Sequence, residues 1–515
     1  MFKTHFLAAL LSTLLWAASG CNRRVFPELE KYRADETAPF FDGSLAPFYH
    51  GVASGDPTAH EVVLWTRVTP EYQEEQELSW KIALDSMQTK VIQKGGLKTD
   101  HSRDYTVKHL VSGLKPDTYY WYSFTCKGKK SIVGRTKTLS ENPDSIRLVV
   151  ISCNAYEAGY FNAFQAIGDK KGKIDAVVHL GDYIYEGFSP RFIELSDRIP
   201  LPKKELVSLT DYRTRYAQYR LDSQLRYAHQ RHPFIHIWDD HEIANDAFQT
   251  GAQAHNPEEE GDFQERKTNA RKAFYEWVAI KDQPALFRKV SFGTLAELFL
   301  LDGRLEGRTE QMAPTDSSFA NPERRLLGQR QSKWLIDGMK GTQATWRLVG
   351  NPVLFAEYNF SPVIPNVAMR KADNWSGYPN ERNEILQAFS SHSIKNILFL
   401  SGDSHCSWAF EIPDPFHSTK PIAVEVGAPS ITSGNWDSGN PLETVLRWEK
   451  ELYTHTENRH MKYVNLRDHG YVEVAISQNQ VQCDWHFVNK DSHEYSDQIG
   501  KSCVLHKETN QIVLK

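Results

Sequence analysis

Asp175-Ala176-Val177-Val178-His179-Leu180-Gly181-Asp182-Tyr183-Ile184-Tyr185-Glu186 decides how this chain is read. Its first half is an apolar run of strand length, and its second half is a glycine followed by acidic and phenolic side chains. A short run without polar alternation is a strand buried on both faces, as in a layered α/β protein. Ligands of such sheets gather outside the carboxyl ends of the strands. The residues after Leu180 are therefore the first place to look for chemistry.

Outward from this stretch the pattern repeats. Similar runs occupy Arg147 to Ser152, Phe234 to Trp238, Glu297 to Leu301, Trp346 to Val349 and Asn396 to Leu400. Three of them end on ligand-type residues: Cys153-Asn154, then Asp239-Asp240-His241-Glu242 with Asn245 one turn on, then Asp403-Ser404-His405-Cys406. Each tip alone is weak. An Asp after a strand is commonly a turn former or helix cap, and a lone buried Cys commonly packs as a small hydrophobe. His179, in mid-strand, reads as structural, and the Tyr residues around 212–227 read as helix core. Four such tips in four separated segments are much harder to obtain by chance. Together they predict one pocket of thiol, carboxylate, phenol and imidazole, able to hold a transition metal beside a harder cation.

Ahead of this region the texture differs. Val62 to Val68, Leu78 to Leu84, Tyr105 to Val111 and Tyr119 to Phe124 are short runs rich in β-branched and aromatic residues. They are separated by turns such as Gly113-Leu114-Lys115-Pro116-Asp117 and predict a small antiparallel sandwich ending near Ser140. Tyr471 to Ile476 and Val481 to Val488 predict a closing hairpin. The expected organisation is thus 47–140 as a β-sandwich and 141–515 as the α/β unit.

The first residues read as a targeting segment. Lys3 and His5 precede an apolar run from Phe6 to Ala18, too short for a membrane span of about 20 residues but suited to a secretory signal. Ala18-Ser19-Gly20-Cys21 resembles a bacterial lipobox, which predicts lipidation at Cys21. An ordinary signal cleaved at the small residues is the other reading, and export follows from either. Residues 1–21 are then the signal and 22–46 a polar tether. A formal charge of −5 from 60 basic and 65 acidic residues leaves no electrostatic footprint for nucleic acid. Six cysteines in 515 residues make no disulfide framework. For Cys483 and Cys503 a disulfide and two free thiols are both open, and Cys126 has no expected partner.

The ordered blocks His50-Gly51-Val52-Ala53-Ser54-Gly55-Asp56-Pro57, Ile151-Ser152-Cys153, His179 to Glu186, Tyr212 to Arg220, Trp238 to Glu242, Leu301-Asp302-Gly303-Arg304, Trp375 to Pro379 and Leu400 to His405 carry a resemblance. They are similar to the PhoD-like family of alkaline phosphatases and phosphodiesterases, within the calcineurin-like metallophosphatases. The resemblance implies an αββα sandwich preceded by a small all-β domain of fibronectin-III or immunoglobulin type. It also implies one ferric iron with one or two calcium ions. Carried over by position, Cys153 is the thiolate ligand, Asp182 the bridging carboxylate, Tyr185 the tyrosinate, Asn245 a calcium ligand, and Asp403 and His405 the ligands of the last block. The implied reaction is in-line attack on a small phosphomonoester or phosphodiester by a metal-bound hydroxide, without a phosphoenzyme. Asp240 and His241 are the candidate catalytic residues, His241 being preferred for protonating the leaving oxygen. Asp302 and Arg304 read equally as a phosphate contact or a structural ion pair. A phospholipase D-type phosphodiesterase and a non-catalytic surface protein on a decayed scaffold are the alternatives.

Overall fold

The computed structural model describes residues 36–515 apart from 171, 173, 191–194, 365–371 and 417–419. The expected signal, Cys21 and most of the tether lie outside the described residues. From Glu36 the chain already packs, with Thr37 buried and Phe41 stacked on Tyr49 at 4.2 Å.

Two large sheets face each other. The first runs, edge to edge, through Ile512–Leu514, Asp497–His506, Gln480–Val488, Gly470–Ser477, Ser145–Ile151, Ala176–His179, Pro233–His236, Val52–Gly55, Val62–Arg67 and Thr106–Val111. The second runs Arg288–Phe292, Ala296–Leu300, Trp346–Asn351, Ile397–Ser401, Pro421–Gly427, Ser407–Pro413 and Met461–Asn465. At the centre of each sheet the pairings are parallel, as between Val177 and Val149 or between Leu348 and Leu398. That is why these strands carry no polar alternation: Leu148, Val177, Ile235, Leu298, Leu348 and Leu398 all belong to one core, which packs on both faces of the first sheet.

Helices cover both outer faces. Asn162–Asp169, Leu209–Leu221, Ser223–Arg231 and Phe263–Trp277 lie on the first sheet, giving Phe164, Tyr216, Leu225 and Phe274 to that core. Gly328–Gly341, Pro379–Ser391 and Leu442–Thr454 lie on the second, burying Leu335, Phe389 and Leu452 in a separate cluster. The layers are helix, sheet, sheet, helix, as expected. Leu209–Leu221 begins with a capping box in which Ser208 and Asp211 satisfy each other's backbone N–H groups.

The N-terminal all-β region is present and shares a sheet with the rest. Gln76–Ala83, Val91–Thr99 and Tyr119–Cys126 form a small separate sheet with Lys129–Lys130 and Gly134–Lys137. Val52–Gly55, Val62–Arg67 and Thr106–Val111 instead extend the first large sheet. The join is a parallel pairing of Ser54 with Pro233 and Gly55 with Phe234. Trp65 is buried at this seam and donates its indole N–H to the Glu276 carbonyl at 2.8 Å. Among the described residues no helix is long and apolar enough to cross a membrane.

Candidate metal centre and active site

Four loops leave the carboxyl ends of central strands at one end of the molecule. Ser145–Ile151 leads to Cys153, Ala176–His179 to Asp182 and Tyr185, Pro233–His236 to Asp239–His241, and Ile397–Ser401 to Asp403 and His405. Cys153, Asp182 and His405 present donor atoms within 4.8 Å of one another. Tyr185 joins them, its hydroxyl donating to Asp182 Oδ2 at 3.1 Å and standing 3.3 Å from His405 Nε2. The structure therefore brings Cys153, Asp182, Tyr185 and His405 into one buried group.

The backbone is bent to hold them. Cys153, Asp182, Asp403 and His405 have φ of 60°, 56°, 61° and 62°, in the left-handed region that side chains other than glycine seldom occupy. Such residues cost on the order of 1–3 kcal/mol each and persist where the surroundings over-determine them. Gly181, at φ +107°, lets two tips touch: a Cβ there would stand 2.4 Å from the Asp239 nitrogen. Glu242, fully buried, clamps the same two loops by accepting the N–H groups of Asp182 (3.0 Å), Tyr183 (2.7 Å) and Asp239 (2.9 Å).

Hydrogen bonding sets the ring chemistry of His405. Its Nδ1–H donates to the Gly434 carbonyl at 2.8 Å, so the Nε2 lone pair faces Tyr185 and the donor group. Burial holds this imidazole neutral, with its pKa lowered to about 4. Ser433 Oγ lies 2.6 Å from the Tyr185 hydroxyl and donates to the Cys153 carbonyl at 2.9 Å. The loop after Pro421–Gly427 thus orients three of the four donors.

A seam of carboxylates continues from this group. Asp182, Asp240 and His241 lie within 4.8 Å of one another, as do Asp239, Asp240 and Asp403, and Asp240, Asp246 and Asp373. Arg304, with no exposed side-chain surface, sits among them. It pairs with Asp239, and lies 2.8 Å from Asp373, 3.4 Å from Asp403 and 3.5 Å from Asp240. Asp302, by contrast, caps its own turn by accepting the N–H groups of Arg304 and Leu305 and that of the Trp238 indole. Of the two open residues, Asp302 is structural and Arg304 is the counter-ion of the acidic seam.

Electrostatics show what the seam lacks. Burial, with neighbouring carboxylates adding to it, holds the Asp182 and Asp403 carboxyls well above the usual range. Asp239 is pushed up to about 6 by burial, against the pull of Arg304. At Asp240 the same burial is outweighed by Arg304 and His241, and its pKa falls to about 2. Burial and Asp182 raise the Cys153 thiol and the Tyr185 phenol well above their ordinary values. Asp239 Oδ2 and Asp240 Oδ1 are buried with no hydrogen-bond partner. Arg304, with Arg308 on Asp373, leaves these oxygens unsatisfied, so the donors fit polyvalent cations: thiol, phenol and imidazole around Asp182 for a transition metal, and the all-oxygen group for a hard cation.

His241 is placed differently. Its Nδ1 is 2.6 Å from Glu186 Oε2, its ring lies against Tyr185 at 4.2 Å, and a fifth of its side chain is open to the cavity. Burial opposes its protonation, but Glu186, Asp240 and Asp182 outweigh that and raise its pKa well above the ordinary imidazole value. Asn245 stands at the cavity wall, where its backbone N–H donates to Glu186 and its side-chain amide donates to Gln253 at 3.0 Å. Glu186, Asp239, Asp246 and Asp373 were assigned no role from sequence. Asp373 carried no signal, since it is an isolated acid in a polar stretch far from every strand tip.

The donors open onto a cavity of about 1120 Å³. Its walls come from Glu157, 186–189, Glu205, Ala254, 433–435, 437–439, His469 and 490–491. Cys483 and Cys503 face each other across their strands as free buried thiols, and Cys126 and Cys406 are also buried and free. His179 is structural, with Nε2 at 2.7 Å from Asn154 Oδ1.

Two facing sheets with ligand-bearing loops at one end, and a thiol–phenol–imidazole–carboxylate group where those loops meet, define a layered α/β protein with a candidate metal centre. Residues 148–485 match the PhoD-like phosphatase family and residues 36–140 match that family's N-terminal domain. The chain is 32% identical over 478 residues to alkaline phosphatase D of Bacillus subtilis (strain 168), covering 87% of this chain and 78% of that one. A solved structure of PhoD superposes with a TM-score of 0.81 at 30% identity, covering 92% of this chain and 93% of its own. The chain belongs to the PhoD-like phosphatase family.

Proposed function

We propose that this protein is an exported, metal-dependent phosphohydrolase that cleaves small phosphomonoesters or phosphodiesters without a covalent phosphoenzyme. The observation that carries the reading is the convergence of Cys153, Asp182, Tyr185 and His405 from three strand ends on one point, with three of the four backbones in the left-handed region. Their softer and anionic donors suit ferric iron. Asp239, Asp240 and Asp403 are the oxygen donors for calcium, with Asp182 at the boundary and the Asn245 amide within the same cavity. When bound, such ions polarise phosphate oxygens and make water a nucleophile near neutral pH.

The chain's own residues supply the rest. Arg304 neutralises part of the acid seam, so that the carboxylates stay together. Glu186 fixes the His241 ring through Nδ1 and keeps it protonated, leaving Nε2–H as the acid for the departing ester oxygen. The hydrogen bonds of the nearby serines support a reaction without a phosphoenzyme: Ser404 Oγ accepts from the Trp408 indole and Ser433 Oγ is held against Tyr185. The polar stretch before Glu36 and the lipobox-like Cys21 support attachment to a bacterial envelope.

Metal analysis coupled to hydrolysis of a mono-aryl and a bis-aryl phosphate tests this, comparing wild type with Cys153→Ala and Asp182→Ala. Iron near one per chain, lost together with activity in both variants, is the expected result. A metal-free protein with the same background rate in all three sinks it.

A further inference from the structure

A second cleft, of about 500 Å³, meets the main cavity at His405, Gly434 and Asn435, which line both. The main cavity carries Glu157, Glu186, Glu205, Asp437, Asp491 and Lys490 beside apolar members such as Phe188 and Ala254, and the second cleft is walled by Val363, Ile364, Trp436 and Trp448, with Ser404 and Asn440 as further polar members. We propose that this cleft is a subsite for an apolar, preferentially aromatic, ester group of the phosphate substrate. The proposal rests on the phosphohydrolase reading above and names the class of ester it favours.

The walls are built in advance. Trp436 stacks on Phe360 at 5.2 Å with 9° between the rings, and meets Trp448 edge-on at 5.7 Å. Its backbone N–H is fixed to the Leu466 carbonyl at 3.1 Å. Trp448 comes from a different element, the helix Leu442–Thr454. Rigid aromatic walls bind with little loss of side-chain freedom, and a flat apolar group displaces water from them. All four apolar wall residues are only partly buried, so apolar surface is left uncovered at the mouth of the site.

The position is what assigns the occupant. Ser433 and Gly434 touch Tyr185 and His405, two of the four gathered donors, and Trp436 follows two residues later in the same loop. A phosphate ester held at the donors thus has the Trp436 cleft within reach on one side and the main cavity on the other. An arm walled by two tryptophans and an arm carrying several acids, meeting at one imidazole, fit an ester with one aromatic group and one uncharged or cationic group. They disfavour a second anionic group in the main cavity.

The test uses metal-loaded protein and two diesters with the same leaving group, phenyl 4-nitrophenyl phosphate and methyl 4-nitrophenyl phosphate. Wild type is expected to favour the phenyl ester in kcat/KM by about tenfold or more, the scale of discrimination in an apolar pocket. Trp448→Ala and Trp436→Ala bring that ratio to within about threefold of unity. Tyr453→Ser, an exposed site at the end of the same helix, leaves it in place. Binding of phenylphosphonate against methylphosphonate, measured by calorimetry, reads the subsite without turnover and is expected to lose the same preference in both Trp variants. Iron content guards against a displaced His405 in Trp436→Ala, and Trp448→Ala stands outside that loop. A wild type with no preference, or a preference that survives both substitutions, overturns the subsite. Loss of all hydrolysis in loaded wild type with the phosphonate preference intact would instead strike at the esterase reading.

Discussion

Arg304→Met removes the guanidinium that reaches Asp239, Asp240, Asp373 and Asp403, leaving Arg308, which pairs with Asp373 alone among them. Methionine fills similar space with apolar atoms, so the change is chiefly one of charge. Removing one member of a buried ion pair costs about 3–5 kcal/mol, because the partner charge is left uncompensated. Here four carboxylates share the cation and its side chain has no exposed surface, which places the metal-free protein at the upper end of that range. Their mutual repulsion grows, and carboxyls already raised by burial take up protons in the fold. Urea unfolding in a chelator, followed by tryptophan fluorescence, is expected to show a midpoint lowered by roughly 1 M. Excess calcium should narrow the gap, since a cation replaces the missing charge and ligand binding stabilises by about 2.7 kcal/mol at a hundredfold excess over Kd. A metal-free variant as stable as wild type refutes the claim that Arg304 is the counter-ion of the seam. A gap that calcium leaves unchanged refutes the claim that the same carboxylates receive the metal.

Three further outcomes are expected. Asp239 and Glu242 have folded pKa values raised to about 6 and about 7, from 3.8 and 4.5, so the fold keeps their protons to higher pH than the unfolded chain does. Metal-free stability therefore falls as pH rises from about 4 to about 7, each group costing about 3 kcal/mol by the top of its window, and melting curves across that range check it. His241→Asn should lower kcat by about 10²–10³ for alkyl esters and far less for 4-nitrophenyl esters, whose leaving oxygen needs no proton; equal loss on both removes His241 from the leaving-group role. Gly181→Ala forces a Cβ to 2.4 Å from the Asp239 nitrogen at a left-handed φ, and should both destabilise the protein by several kcal/mol and halve or worse its metal content, by melting and metal analysis.

Much of this was legible because central parallel strands leave a plain signature. Ala176–His179, Ile397–Ser401 and their neighbours are unbroken apolar runs, and the residues after them are those the site gathers. What was not legible depends on pairing at a distance. Val52–Gly55 is only four residues long, and nothing local says that it lies parallel to Pro233–His236 and carries the N-terminal strands onto the main sheet. Glu242 reads as one more acid in an acidic tip. Its work as a clamp on three backbone N–H groups follows from where two other loops arrive. Asp373 and Arg304 meet across 69 residues. Cys483 and Cys503 were separable from the other cysteines by spacing, and strand register then set them opposite each other as free thiols.

The central claim is that the Cys153–Asp182–Tyr185–His405 group holds iron through these side chains, and the phenol offers a direct optical report. A tyrosinate bound to ferric iron absorbs visible light by ligand-to-metal charge transfer. The measurement is the visible spectrum of iron-loaded wild type and Tyr185→Phe at matched iron content. The account predicts a coloured wild type whose band disappears in Tyr185→Phe. Iron-loaded protein without such a band, or with one that Tyr185→Phe leaves unchanged, contradicts it.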